Sequence, residues 1–160
     1  MGFEGGIRVN SKMVKPFIDA VLSVLPMLGL TDIERGNVTV KDNLATAQDV
    51  TVLIGLSQDI RGNVAYGLSD ECARNIASTM MCGMPVPQFD EMAQSAISEL
   101  VNMITANAAT NLESLGKAVN ISPPTLVTGK NITARISQVQ TLAIEFLTSA
   151  GIIELNVGLE

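Results

Sequence analysis

At 160 residues, with 47% hydrophobic residues and a mean hydropathy of +0.34, the chain holds material for one ordinary domain with a well-filled core. A net charge of −6, with one Tyr and four Phe, argues against direct nucleic-acid binding. The complete lack of His removes Ser-His-Asp triads, His-Glu-x-x-His zinc sites and phosphohistidine chemistry together.

Glu4, Arg8, Lys12 and Lys15 are interspersed at the start without a basic segment and an apolar run behind it, and Met1-Gly2 lacks a downstream Ser or Thr. Neither a secretory nor a myristoylation signal is therefore expected. Val14, Phe17, Ile18, Val21, Leu22 and Leu25 keep helical spacing until Pro26 and Gly29 end a first helix. The apolar run over residues 20–30 is broken by Ser23 and Pro26 and is too short to cross a bilayer, so no membrane insertion is expected. Residues 34–40 suggest a strand. Residues 50–56 and 63–68 read as a hairpin around Asp59-Ile60-Arg61-Gly62.

Ser69, followed by Asp70 and Glu71, caps a second helix that stops at Gly83 and Pro85. Cys72 and Cys82 fall within it, too far apart for a disulfide and without ligand partners. Both are expected to pack as small apolar residues in a protein of the reducing cytoplasm. No Gly-x-x-x-x-Gly-Lys phosphate loop occurs. After a loop holding Pro123-Pro124, residues 132–139, 142–147 and 152–157 read as three strands, the last two joined near Ser149 and Gly151. The apolar C-terminal pair is expected to offer an edge through which two sheets could join. Helices interspersed with antiparallel pairs make an α+β plan.

Between the second helix and these strands runs the longest periodic segment, from an Asp90 N-cap to Gly116. At about 100° per residue, Ala93, Ile97, Leu100, Ile104, Ala108 and Leu115 gather into an apolar stripe. Ser95, Glu99, Asn102, Ala106 and Glu113 fall on the other side, bordered by Met92, Met103 and Thr110, a mixture suited to a partner surface. Glu-x-x-Asn on an exposed helix face also arises as an ordinary solvated pair. Asn, however, costs a helix roughly half a kcal/mol relative to Ala, and this one carries Asn102, Asn107 and Asn111. Asn111 points toward the apolar side, where a buried hydrogen bond of structural purpose is expected.

The stretch Ser95-Ala-Ile-Ser-Glu99-Leu-Val-Asn102-Met103, with its continuation from Leu115-Gly116-Lys117 to Ile121-Ser122-Pro123-Pro124-Thr125, resembles the CheC/CheX/FliY group of bacterial chemotaxis phosphatases, and CheX most closely. Softer similarity runs through residues 62–67 and 80–84. The resemblance covers residues 10–158 as one CheX-like domain and leaves residues 1–9 as an extension expected to be flexible. It implies a largely antiparallel sheet with the long signature helix and further helices packed on it. Ser98 and Ala106 stand where the group commonly has Gly, and Pro124 comes one residue early against its longest spacing, which leaves open which proline matters.

The resemblance further implies hydrolysis of the aspartyl phosphate on a phosphorylated CheY-type response regulator, with Asn102 orienting the attacking water and Glu99 pairing with a receiver lysine. Met92, Ser95, Met103 and Ala106 would line the contact, with a direct or merely solvated role for Ser95 left open. Mg2+ would belong to the receiver, with no cofactor of the chain's own. Relatives of the CheC type carry two active helices. Residues 13–28 contain neither Glu nor Asn, so one site per chain is expected, within a homodimer. A non-catalytic module binding a receiver or flagellar switch partner, and a structural or oligomerisation domain, are the alternatives.

Overall fold

The computed structural model describes residues 11–42, 44–46, 48–130, 134–137 and 140–160. The extension assigned to residues 1–9, and part of the strand assigned to 132–139, lie outside the described residues. The elements run α1 (Ser11–Met27), β1 (Glu34–Lys41), β2 (Leu44–Thr46), β3 (Val50–Gln58), β4 (Gly62–Leu68), α2 (Asp70–Met80), α3 (Glu91–Ser114), β5 (Val119–Ile121), β6 (Thr125–Thr128), β7 (Ala134–Ser137), β8 (Thr141–Thr148) and β9 (Gly151–Leu159).

Alternation along the strands builds the core. Val52, Tyr66, Leu155 and Ile144 form one cross-strand row, and Ile54, Val64, Val157 and Leu142 form the next. All eight belong to one buried cluster with Phe17, Val21 and Leu25 of α1, Ile76 of α2, and Ile97, Leu100 and Ile104 of α3. The sheet is antiparallel, in the order β1-β8-β9-β4-β3-β5, with β6 also paired to β3, while β2 and β7 form a separate ribbon. Away from the helices, Lys41 donates to Glu154 and to the buried Asn156, at 3.2 and 3.1 Å. The α+β plan with helices packed on a largely antiparallel sheet is as expected.

The edge expected of the C-terminal pair is not there. Both β8 and β9 are interior, and the outer strands are β1 on one side and β5 with β6 on the other. The apolar character of the C-terminal pair reflects burial between neighbours, whereas β1 carries the polar sequence Glu-Arg-Gly-Asn-Val-Thr-Val-Lys that suits an edge. The loop around the proline pair is the junction of two short strands. The Ser122 N–H donates to the Gly55 carbonyl at 2.9 Å, and Thr125 then pairs with Leu53. The edge strand thus spends one residue more than β3 across Pro123-Pro124. That is a bulge, on an edge, where residues without an N–H fit.

Ser69 caps α2 as read, its Oγ accepting from the Cys72 N–H at 3.0 Å. The helix ends sooner than expected, at Met80, with Cys82 in the following turn at φ 58. Cys82 is consequently exposed, a correction to its expected packing, while Cys72 is buried. In α1 the last helical residue is Met27, one beyond Pro26, and Gly29 closes the end at φ 97.

Candidate functional site

Helix α3 starts as the sequence indicates, with Asp90 Oδ1 accepting from the Ala93 N–H at 3.0 Å. It stops at Ser114, and Gly116 at φ 85 lets the Lys117 N–H return to the Leu112 carbonyl at 3.0 Å. Leu115 therefore lies past the last turn and is 57% exposed, and Leu112 takes the buried place assigned to it. Ala93, Ile97, Leu100, Ile104 and Ala108 are buried as expected, joined by Val101 and Thr105.

On the opposite face Ser95, Glu99, Ala106 and Glu113 are exposed, and Met92 is 66% exposed. Asn102 and Met103 are half-buried, Met103 resting against the core. By helical geometry Ser95, Glu99, Asn102 and Ala106 fall within an arc of roughly 60°, and the Cβ atoms of Glu99 and Asn102 lie about 5–6 Å apart. Neither Glu99 nor Asn102 directs its side chain to a hydrogen-bond or ion-pair partner among the described residues. A shallow depression lined by Asp90, Glu91, Met92 and Ser95 adjoins them toward the helix start. The face thus presents a carboxylate and a carboxamide, unpartnered among the described residues, beside flexible apolar side chains, the composition of a contact surface.

What holds this face outward is polar as well as apolar. The Thr105 hydroxyl lies 2.9 Å from the Tyr66 hydroxyl and donates to the Val101 carbonyl at 2.8 Å. Both side chains are fully buried, and burial pushes the Tyr66 phenol well above its ordinary value, although the Thr105 bond works against that. The Asn111 amide donates to the Pro16 carbonyl of α1 at 3.2 Å, the structural bond expected of it. Sequence reading missed the Tyr66–Thr105 pair. The available signal was a hydroxyl on the apolar side of α3 and the chain's sole tyrosine at an inward strand position.

Two other concavities lie away from this face. One is lined by Asp49, Asp70, Glu71, Arg74 and Lys130 among others, where Arg74 is already engaged with Asp70 at 2.8 Å. The other is an apolar groove between α1 and the sheet, with Val14, Ile18, Leu22 and Val38 in its walls. Among the described residues no group of three or more Cys, Asp or Glu could hold a metal ion, and no helix is long and apolar enough to cross a membrane.

The architecture is that of the CheC-like superfamily. A CheC-like superfamily protein from Shewanella sp. PV-4 superposes with a TM-score of 0.85 at 26% identity, covering 95% of this chain and 99% of that one. Residues 50–147 match the family model of chemotaxis phosphatase CheX. The CheY-P phosphatase CheX of Thermotoga maritima is 34% identical over 125 residues, 78% of this chain and 80% of that protein. The chain belongs to the CheX family of chemotaxis phosphatases. A Borrelia burgdorferi CheX in complex with CheY, BeF3 and Mg2+ is also similar, with a TM-score of 0.76 and 27% identity, over 96% of this chain and 99% of that one.

Proposed function

We propose that this protein hydrolyses the aspartyl phosphate of a phosphorylated CheY-type receiver by inserting Glu99 and Asn102 of α3 into the receiver's active site. The observation that carries the reading is the pair itself: a carboxylate and a carboxamide, unengaged among the described residues, one turn apart on the open face of a helix whose other face is fixed in the core. Family membership supports the chemistry, as do the CheY-P phosphatase name of the Thermotoga relative and the CheX–CheY complex from Borrelia.

An acyl phosphate is intrinsically labile, so the phosphatase needs to supply little beyond a water held in line. The Asn102 carboxamide accepts a hydrogen bond from that water and aims its lone pair at phosphorus. The P–O(water) bond forms as the bond to the aspartate oxygen breaks, the aspartate leaves as carboxylate, and the water's proton ends on inorganic phosphate or in solvent. Glu99 pairs with a receiver lysine, which sets the docking register. Mg2+ is held by the receiver and neutralises phosphoryl charge. Met92, Ser95, Met103 and Ala106 border the contact, and Ala106 is small enough to admit the partner's backbone.

In this reading the protein works in the cytoplasm as a homodimer with one site per chain. Analytical ultracentrifugation tests the dimer, and a monomer at working concentration removes it.

The deciding experiment follows the decay of a phosphorylated CheY-type receiver with Mg2+, alone, with this protein and with its Asn102→Ala form. Acceleration lost in the variant supports the assignment. Receiver binding without any acceleration favours the non-catalytic module instead.

A further inference from the structure

We infer that Tyr66, acting through Thr105, is a positioning residue that sets the axial rotation of α3 and so aims Asn102. The inference rests on the phosphatase reading above and deepens it.

Apolar packing decides which face of α3 meets the sheet but leaves the fine setting of its rotation loosely held. Ala93, Ile97, Leu100, Ile104, Ala108 and Leu112 meet a broad hydrophobic surface, and contacts of this kind are non-directional. Turning the helix by about 20° moves a group some 6 Å from its axis by about 2 Å, and a misplacement of about 1 Å can cost a hundredfold in a reaction that depends on alignment. A directional restraint is needed, and the buried polar atoms of α3 supply it.

One proton order gives both hydroxyl protons an acceptor. The Val101 carbonyl can only accept, so the Thr105 proton goes to it, over 2.8 Å. The Thr105 oxygen then accepts from Tyr66, over 2.9 Å, and the Tyr66 phenol stays protonated because burial disfavours its anion. The relay runs from β4 through Thr105 to the carbonyl of the peptide unit whose nitrogen is that of Asn102. Thr105 also stands at the margin of the buried stripe, about 60° around the helix from Asn102 and about 4.5 Å along it. A bond at the margin resists rotation better than one at the centre of the stripe. With Tyr66 and Thr105 both fully buried, bulk solvent does not compete for the bond, so the restraint is stiff.

The test compares wild type, Asn102→Ala, Tyr66→Phe, Thr105→Val, Thr105→Ser and the double variant Tyr66→Phe/Thr105→Val. Decay of a phosphorylated CheY-type receiver is measured against receiver concentration, well below the unfolding midpoint of each variant. Tyr66→Phe and Thr105→Val are expected to lose about tenfold in kcat with KM changed less than about twofold, the pattern of lost alignment and not of lost binding. Thr105→Ser, which keeps the hydroxyl, retains kcat within about twofold. The double variant loses no more than either single one, because one relay is being cut twice. Wild-type kcat in Tyr66→Phe, or equal losses in Thr105→Ser and Thr105→Val, overturns the inference while an inactive Asn102→Ala leaves the phosphatase reading standing. Absence of acceleration by wild type, or a fully active Asn102→Ala, overturns that reading and this inference with it.

Discussion

The Asn111 side-chain amide donates to the main-chain carbonyl of Pro16 at 3.2 Å, joining α3 to α1 across the helix layer. Pro16 lies inside α1 and is itself buried, so its carbonyl, at an interior helical position, takes the Asn111 amide as a second donor. Asn107 Oδ1 lies 3.4 Å from the same amide and steadies its orientation. Asn111→Ala is expected to destabilise the fold by about 0.5–1.5 kcal/mol, the usual net contribution of one hydrogen bond. Urea denaturation measures it, and a variant as stable as wild type would show that the bond contributes nothing net.

Asn102→Ala should lower the phosphatase rate by about a hundredfold or more, as expected for removing one positioned polar group, with receiver binding retained. Since Asn102 has no side-chain partner among the described residues, stability should change by no more than about 0.5 kcal/mol. Single-turnover decay and a thermal melt of the same preparation measure both.

Glu99→Ala should weaken receiver binding by about tenfold and lower the rate with it, because a charged contact at a partly desolvated interface is lost. Glu99 is exposed on α3, so its contribution should also fall as salt is raised. Titration calorimetry at low and high salt checks this, and wild-type affinity in the variant contradicts a docking role.

Native protein should react with one equivalent of a maleimide, at Cys82, and take up a second only on unfolding. Cys72 is buried, and burial, with a smaller contribution from the charge of Glu71, pushes its thiol up to about 11. Because the folded-state value is raised, the unfolded chain loses its proton first as pH climbs. Stability from this group is full below about 9 and declines between about 9 and about 11. Mass spectrometry of the labelled protein and denaturation midpoints across that range measure the two effects.

Gly62→Ala should be among the most damaging single substitutions on the sheet. Gly62 sits at φ 148, and an added Cβ would run into the Gly158 carbonyl and come within 2.9 Å of the Leu159 Cα, both backbone of β9. A cost above about 2 kcal/mol is expected, read as a lowered denaturation midpoint, since neither strain nor clash can be relieved by a side-chain rotation.

The sequence by itself determined the features that live within one element. The Asp90 cap, the Gly116 stop and the 3.6-residue stripe of α3 follow from local hydrogen-bond geometry and spacing, which is why the face carrying Glu99 and Asn102 is legible in the sequence. The hairpin of β3 and β4 around Gly62 and that of β8 and β9 near Gly151 were legible for the same reason. Only the tertiary structure decided what depends on neighbours distant along the chain. It placed β8 and β9 inside the sheet, because an apolar strand looks the same in sequence whether its neighbours are present or missing. It buried Leu112 in place of Leu115, because the helix end was set by a glycine turn and not by the stripe. It brought Tyr66 to Thr105, because a hydroxyl on a strand and one on a helix carry no mark of each other until the core closes around both.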